Sequence, residues 1–346
     1  MAKVLLTGAA GFIGYNAYMR LSADHEVVAL DSFSAFSNYQ IKQDRVEDIT
    51  GSRLAWDSNG KLISRDHSFY HIDIADMDQV KRLFSQYEFD IVVHLAAMTG
   101  VRQSITEPQE YERSNVLGFL NIMECCGMHD VKKVIYASSS SVYGGSVHIP
   151  FREDEQIDKL LNYYAITKRE NEIAAEKYSS SYQMQIVGLR FFTVYGPWTR
   201  PDMATYTFMD NIMSDKAIKL FNHGNMERDF TYVGDIVESI SKIISKLEQK
   251  DATEPSHAIY NIGEGKPIHL RKYVEVLESK LHAKAIIENA PMNEGEMLVT
   301  FADCSKLFEF IGFRPTTTIE EGLDKTVEWF LKYRDQKLRS PKTNNA

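Results

Sequence analysis

The stretch Val4-Leu-Leu-Thr-Gly-Ala-Ala-Gly-Phe-Ile-Gly14 opens on a short apolar run typical of a buried strand and continues into three glycines spaced G-x-x-G-x-x-G. A helical pattern follows from Phe12. Glycines at this spacing allow a tight turn and a close backbone approach to a pyrophosphate, whose charge the N-terminus of the following helix favours. A glycine-rich turn that binds no ligand can have the same sequence, so a dinucleotide site needs a second sequence signal.

That second signal is Asp31, which ends the next predicted strand 17 residues after Gly14. The spacing is close to that of a carboxylate that binds the ribose hydroxyls of an adenosine. The two features together predict a dinucleotide site. We expect NAD rather than NADP, because a carboxylate at Asp31 repels a 2′-phosphate.

Short β-branched runs alternate with helical patterns through the first half of the chain, as in βαβ units with a parallel sheet. The predicted strands are residues 3–6, 26–30, 69–72, 90–95, 131–136 and 185–190, and the predicted helices are residues 12–21, 77–87, 108–126 and 163–178. After residue 197 the pattern loosens into segments 203–213, 217–221, 235–247, 258–262, 270–281 and 319–333. We predict an α/β fold: a doubly wound parallel sheet (Rossmann) over 1–196, a smaller C-terminal α/β lobe, mainly substrate-binding, over 197–335, and a polar tail over 336–346.

Composition and charge exclude several classes of protein. The 346 residues are 44% hydrophobic and 25% charged, as in a globular chain with a sizeable core. The net charge of −9 offers no basic footprint for a nucleic acid. The 3 cysteines are too few for a disulfide framework or a Cys-based zinc site, and no apolar stretch reaches the ~18 residues of a membrane span. We expect a cytoplasmic protein without a metal, a nucleic-acid partner or a membrane segment, and we expect His94 to be structural beside the cofactor.

A phenol and an ammonium stand four residues apart in Tyr164-Ala-Ile-Thr-Lys168, so they share one face of a predicted helix. A free Tyr has a pKa of about 10, but a nearby Lys cation and a bound nicotinamidium both favour the phenolate. Tyr164 would then act as a general base or acid near neutral pH. The four serines of residues 138–141 end the fifth predicted strand, at the edge where a doubly wound sheet meets its ligand.

These motifs together are similar to those of the extended short-chain dehydrogenase/reductase family that acts on nucleotide sugars. The shared motifs are the glycine pattern, His94-Leu-Ala-Ala97, the serine run with Val142-Tyr-Gly144, and Tyr164-x-x-x-Lys168. The longer blocks that most resemble UDP-glucuronate 4-epimerases are Leu189-Arg-Phe-Phe-Thr-Val-Tyr-Gly-Pro197, Arg200-Pro-Asp-Met-Ala204 and Arg228-Asp-Phe-Thr-Tyr232. The similarity covers nearly the whole chain.

The resemblance implies a reaction at carbon 4 of the sugar. Tyr164 removes the proton of the 4-hydroxyl while NAD takes the hydride, and the 4-keto sugar turns over before the hydride returns to its other face. Lys168 would lower the pKa of Tyr164 and hold the nicotinamide ribose. Ser139 matches the family's catalytic hydroxyl, and a neighbouring serine of the run is the alternative.

The motifs and the resemblance together predict two sets of binding residues. For the cofactor these are Gly8, Gly11, Phe12, Ile13, Gly14, Asp31, Asp73, Ile74, Leu95, Ala96, Ala97, Tyr164 and Lys168. For the substrate these are Ser139, Ser140, Ser141, Thr193, Arg200, Arg228 and Glu296.

Three members of these sets have a structural alternative. Asp73 could instead cap the helix predicted over 77–87. Thr193 and Arg200 match residues that line the pocket for a uronate carboxylate, but Arg200 could pair with Asp202. Similarly, Arg228 matches a diphosphate contact but could pair with the neighbouring Asp229. Glu296 stands at the position of a uridine contact.

The pair Ser140-Ser141 separates this chain from neighbouring branches of the family. Nucleotide-sugar 4,6-dehydratases carry an Asp-Glu pair there, and decarboxylases of UDP-glucuronate carry a Glu in place of Ser141. The resemblance therefore implies simple epimerisation of UDP-glucuronate to UDP-galacturonate. The alternatives are a 4-epimerase of neutral UDP-hexose or UDP-N-acetylhexosamine, and a non-catalytic NAD-binding sensor. By analogy with relatives that pair through the helices over 108–126 and 163–178, we expect a homodimer.

Overall fold

A seven-stranded parallel sheet lies at the centre of the computed structural model, which describes residues 1–34, 38–64, 66–157, 159–249, 254–292 and 297–339. Its strands are β1 (Lys3–Thr7), β2 (Glu26–Asp31), β3 (Ser68–His71), β4 (Ile91–His94), β5 (Lys133–Ser139), β6 (Gln185–Phe191) and, far along the chain, β10 (Ser256–Ile262). They lie in the order β10-β6-β5-β4-β1-β2-β3 and pair in parallel throughout. The predicted doubly wound fold is confirmed.

The strand order places the functional motifs at one edge of the sheet. The chain runs outward in one direction from β1 through β2 and β3, and in the other direction from β4 through β5 and β6. At such a switch point the carboxyl ends of the two central strands open a crevice. The glycine turn follows β1 and the serine run closes β5, so both border this crevice.

The seventh strand, β10, corrects the predicted division of the chain. The sequence pattern placed residues 258–262 in the C-terminal lobe, but β10 pairs along its whole length with β6 in the central sheet. A short apolar run indicates that a strand is buried without indicating which strand it pairs with, so its assignment followed chain position alone.

Helices cover both faces of the sheet. One face packs against α1 (Phe12–Leu21), α2 (Tyr39–Thr50), α9 (Val233–Gln249) and α11 (Ser305–Ile311), and the other against α3 (Met77–Gln86), α6 (Gly118–Met128) and α7 (Tyr163–Tyr182). The remaining short helices of this half are α4 (Gln103–Thr106) and α5 (Pro108–Tyr111). A π-helical segment, Glu112–Leu117, joins α5 to α6, so the helix predicted over 108–126 is continuous but not uniformly α-helical. Side-chain oxygens of Asn38, Asp76 and Asn162 cap α2, α3 and α7.

A smaller lobe lies beyond the carboxyl edge. It contains a three-stranded sheet of β7 (Thr193–Tyr195), β9 (Glu227–Tyr232) and β11 (Pro267–His269), and a parallel pair of β8 (Ala217–Phe221) and β12 (Ile286–Ala290). Its core also includes side chains of α8 (Ala204–Ile212), α10 (Leu270–Leu281) and α12 (Ile319–Arg339).

Helix α12 continues into the predicted polar tail. Residues 336–339 of that tail are helical, and its residues 340–346 lie outside the described residues. Two contacts explain the extension: the Tyr333 hydroxyl donates to the Asp44 carboxylate, and the Lys337 ammonium pairs with it at 2.6 Å. Among the helices that the structure describes, none is long and apolar enough to cross a bilayer.

Candidate active site

A cavity of about 940 Å³ runs along the carboxyl edge of the sheet. Every residue predicted to bind the cofactor lines it, and so do Ser139, Ser140, Ser141, Thr193 and Arg200 of the substrate set. The fold therefore brings together residues from widely separated segments of the chain. After their predicted ligands, we call the glycine turn with Asp31 the cofactor end of the cavity, and Arg200 with its partners the sugar end.

The glycine turn is shaped by close backbone packing. Gly8 has φ +71°, and a Cβ there would lie 2.7 Å from the backbone nitrogen of Ala96. A Cβ at Gly14 would overlap the carbonyl oxygen of Gly8. Within the described residues no side chain caps the start of α1 at Gly11, so its first N–H groups face the cavity. This cradle fits a pyrophosphate.

The carboxylate of Asp31 is buried at the end of β2 and has three partners. It accepts hydrogen bonds from the backbone N–H groups of Ala10 at 3.1 Å and Phe33 at 2.8 Å. The Lys42 ammonium, from α2, lies 2.8 Å from the same carboxylate and also lines the cavity. Lys42 escaped the sequence analysis, and its charge offsets part of the repulsion by which Asp31 would exclude a 2′-phosphate.

Asp73 faces the cavity rather than capping α3. Its carboxylate pairs with the Arg113 guanidinium, and both side chains line the cavity next to Ile74. The cap of α3 is Asp76, which accepts from the N–H groups of two residues in the first turn. The structural alternative for Asp73 is therefore wrong.

His94 ends β4 beneath the glycine turn. Its Nδ1 lies 2.7 Å from the Thr7 hydroxyl, and burial lowers the pKa of the ring to about 3. The imidazole is therefore neutral and serves as a buried hydrogen-bonding group. Among the residues that the structure describes, no cluster of His, Cys, Asp and Glu could hold a metal ion.

The three predicted catalytic residues, Ser139, Tyr164 and Lys168, line the same cavity. Burial raises the pKa of Tyr164, while the Ser139 hydroxyl and the Arg200 cation act in the opposite direction. The Lys168 ammonium donates to the carbonyl oxygen of Ala137 at 2.9 Å and lies 5.9 Å from the centre of the Tyr164 ring. Burial lowers the pKa of Lys168 to about 8. Ser139 and Arg200, which sequence reasoning did not name in this role, thus favour the phenolate.

The serine run divides between two environments because successive side chains of a strand point to opposite faces. The Ser139 hydroxyl lies within reach of Tyr164 and accepts from the backbone N–H of Ser141 at 3.1 Å. The Ser138 hydroxyl points away and donates to the buried carboxylate of Glu172 at 2.7 Å. Of these two hydroxyls, only that of Ser139 is placed beside Tyr164.

Arg200 lines the cavity and has two side-chain partners. Its guanidinium donates to the Asp202 carboxylate at 3.0 Å and 2.6 Å, and its Nη1 donates to the Thr99 hydroxyl. The pair with Asp202, which sequence analysis gave as the structural alternative, is therefore present, and both partners line the cavity beside Thr193. Thr99 was not predicted, because the motif after β4 ends at Ala97 and the partner of Thr99 lies 101 residues away along the chain.

A second, smaller cavity of about 240 Å³ holds Arg228 together with Ser140, Ser141 and Thr193. The neighbouring Asp229 is buried and accepts from the backbone N–H groups of residues 264, 265 and 302. These bonds occupy Asp229 away from Arg228. Glu296 lies outside the described residues.

Arg45 is a buried residue of the site that sequence reasoning missed. Its guanidinium donates to the carbonyl oxygens of Ala10 at 2.7 Å and Trp198 at 2.6 Å, and so ties the glycine turn to the loop that follows β7. Burial lowers its pKa to about 10, which leaves it a cation at neutral pH. The sequence signal that could have identified Arg45 is its position, as a charged residue between Ile41 and Ile49 on the apolar face of α2.

Comparisons with known proteins show the family to which the chain belongs. The sequence pattern of the NAD dependent epimerase/dehydratase family matches residues 4–263. Protein CapI of Staphylococcus aureus is 40% identical over 96% of this chain and 99% of that protein. UDP-glucuronate 4-epimerase 4 of Arabidopsis thaliana is 36% identical over 95% of this chain and 75% of that protein.

Solved structures extend the likeness to the whole fold. The UDP-glucuronic acid 4-epimerase of Bacillus cereus, in complex with UDP-glucuronic acid and NAD, superposes with a TM-score of 0.84 and 29% identity, over 96% of this chain and 99% of that chain. The UDP-glucose 4-epimerase of Thermus thermophilus, in complex with NAD, gives a TM-score of 0.79 and 26% identity, over 95% and 99%. The chain belongs to the NAD-dependent epimerase/dehydratase family, and it is an isomerase that uses NAD. The predicted family and cofactor are confirmed.

Proposed function

We propose that the chain is a UDP-sugar 4-epimerase whose substrate is UDP-glucuronate, which it interconverts with UDP-galacturonate. The observation that carries this proposal is the placement of Arg200. Its guanidinium lies in the same cavity as Ser139 and Tyr164, close enough to Tyr164 to favour the phenolate. An Arg fork beside the reacting centre suits a sugar that carries a carboxylate.

In this proposal the glycine turn, Asp31, Asp73 and Lys168 hold the cofactor. NAD, when bound, accepts a hydride from carbon 4 of the sugar and returns it. The phenolate of Tyr164 takes the proton of the 4-hydroxyl, and the Ser139 hydroxyl, within reach of Tyr164, orients the reacting oxygen. When the 4-keto sugar has turned over, Tyr164 returns the proton to the other epimer.

In this proposal the substrate occupies both cavities, and residues other than the catalytic ones bind its remaining parts. We assign Arg228, with Ser140 and Ser141, to the diphosphate, because these side chains share the smaller cavity next to the main one. The lobe of residues 197–335, apart from α9, β10 and α11, would supply most of the remaining contacts to the sugar nucleotide.

A second candidate is a 4-epimerase of neutral UDP-sugars, and the Arg200–Asp202 pair favours it. A guanidinium that already holds a carboxylate at two atoms has less need of a carboxylate on the substrate. Relatives in structure include the UDP-N-acetylglucosamine 4-epimerase of Methanobrevibacter ruminantium M1, with a TM-score of 0.81, 25% identity and coverage of 96% of this chain and 99% of that chain. Both candidates use the same catalytic residues and differ at the sugar end.

The deciding experiment incubates the purified protein with UDP-glucuronate and no added NAD, then separates the products by anion exchange and identifies the sugar by NMR. We expect UDP-galacturonate, formed with the NAD that the protein retains. Conversion of UDP-glucose or UDP-N-acetylglucosamine but not of UDP-glucuronate would establish the neutral-sugar candidate. Conversion of no UDP-sugar, with or without added NAD, would favour the non-catalytic sensor.

We also propose a homodimer that pairs through the π-helical segment, α6 and α7. Two large apolar side chains support this surface: Leu117 is 47% exposed and Ile173 is 57% exposed. Light scattering with size-exclusion chromatography should give a mass near twice the 39.6 kDa of one chain. Ile173→Glu should shift the protein toward monomer, and an unchanged dimer would place the interface elsewhere.

A further inference from the structure

A buried carboxylate lies directly behind the catalytic residues and takes no part in the reaction proposed above. Glu172, on α7 and one turn after Lys168, is 1% exposed. The Arg190 guanidinium holds it with two bonds, Nε at 2.8 Å and Nη2 at 2.9 Å. The Ser138 hydroxyl donates to the same carboxylate at 2.7 Å. We call these three residues the Glu172 cluster.

The Glu172 cluster joins β5 and α7, the two elements that carry the catalytic residues, to the neighbouring strand β6. Ser138 is the neighbour of Ser139 on β5, and Arg190 lies opposite Ser138 on β6, which leads to Thr193. Glu172 belongs to α7, which also carries Tyr164. The Glu172 carboxylate therefore ties α7 to the ends of both strands, in addition to the bond from Lys168 to Ala137 on β5.

The energetics of such a cluster favour a geometric role. A buried ion pair loses hydration, and apolar side chains of the same shape would stabilise a fold at least as well. Burial by itself raises the pKa of Glu172, but the bonds and charge of Arg190 and the Ser138 bond outweigh it, and the pKa lies below its ordinary value. Glu172 is thus an anion that requires its directed hydrogen bonds, and those bonds fix angles and distances that apolar packing does not.

We propose that the Glu172 cluster is a positioning device that sets the spacing between the Ser139 hydroxyl and the Tyr164 hydroxyl for proton transfer. This inference rests on the 4-epimerase function proposed above, without depending on which UDP-sugar is the substrate. Proton transfer is sensitive to sub-ångström displacement, so a loosened cluster lowers kcat before it affects the binding of either ligand.

The test uses the Ser138→Ala variant, which removes one hydroxyl and keeps the Glu172–Arg190 pair. Ser179→Ala is the matched control, because the Ser179 hydroxyl is also buried on α7 and donates to the carbonyl oxygen of Met184 at 2.8 Å, away from the cavity. Arg169→Ala is the second control. Arg169 bonds to Glu172 at 2.9 Å but belongs to the same helix, so it joins no second element.

We expect kcat of Ser138→Ala to fall about tenfold or more, with KM and the retained NAD unchanged, on whichever UDP-sugar the wild type converts. Both control variants should keep the wild-type kcat. An equal loss of kcat in Ser138→Ala and Ser179→Ala would show a general packing effect and overturn the proposal. So would a rise in KM at constant kcat. A wild type that converts only neutral sugars would refute the UDP-glucuronate assignment while leaving this comparison intact.

Discussion

The cofactor end and the sugar end of the cavity differ in whether backbone groups or side chains form them. At the cofactor end the backbone forms the site: glycines in close contact with neighbouring backbone, uncapped N–H groups of α1, and a carboxylate held by the N–H groups of Ala10 and Phe33. At the sugar end, side chains form the site, and Arg200 lies between Thr99 and Asp202. Backbone geometry tolerates little change, whereas a side-chain pair can exchange partners. Substitutions at the two ends should therefore fail in different ways.

We expect the largest loss of activity from a substitution of the catalytic base. Tyr164→Phe removes the group that takes the proton and keeps the ring in place, so kcat should fall by roughly 10²–10⁴-fold. Because the ring still packs beside Tyr111, the protein should retain its NAD and its melting temperature. Steady-state kinetics with the absorbance of released NAD checks both. Residual activity within tenfold of the wild type would assign the base to another residue.

We expect the second largest effect, a loss of bound NAD, from a substitution at the cofactor end. A Cβ at Gly14 would overlap the carbonyl oxygen of Gly8, so Gly14→Ala should lose bound NAD and with it turnover of every UDP-sugar. The control is Gly145→Ala, where an added Cβ meets nothing closer than 3.7 Å. Cofactor content after purification is the measurement. A Gly14→Ala protein that retained NAD would mean that the turn relaxes without cost to the site.

The sugar end should fail selectively. Arg200→Ala leaves the glycine turn untouched, so NAD should be retained while kcat/KM for UDP-glucuronate falls about 100-fold, as for a lost charged hydrogen-bonded pair. UDP-glucose should lose only the smaller part that comes from the effect of Arg200 on the pKa of Tyr164. The control is Arg152→Ala, because Arg152 pairs with two carboxylates at an exposed position away from the cavity. Equal losses on UDP-glucuronate and UDP-glucose would exclude a role for Arg200 in binding a carboxylate.

The smallest effect concerns the partner of Arg200. Asp202→Asn removes the charge that competes for the guanidinium, so KM for UDP-glucuronate should fall a few-fold and KM for UDP-glucose should stay constant. Isothermal titration calorimetry with each UDP-sugar checks this difference as a change in binding affinity. A weaker affinity for UDP-glucuronate in this variant would show that Asp202 instead orients Arg200 toward the substrate.

Sequence reasoning reached the cofactor end more completely than the sugar end. The glycine pattern, Asp31 and the Tyr164–Lys168 spacing report local geometry, since a turn, a strand end and one helical turn each involve neighbouring residues. Lys42 and Arg45 were missed, although both act on this end, because their partners lie 11 and 35 residues away along the chain. Thr99 was missed for the same reason, at a separation of 101 residues from Arg200.

The sequence alone determined the alternation of strands and helices, the dinucleotide turn and the pairing of a phenol with an ammonium, because each depends on residues within a few turns or one βαβ unit. Only the tertiary structure decided that residues 256–262 complete the central sheet, that Ser139 rather than Ser138 lies beside Tyr164, and that Arg200 holds Asp202 within the cavity. These outcomes depend on which elements pack together and on the face of the sheet to which each side chain points. Burial then alters the pKa of each group according to neighbours that only the packed fold supplies.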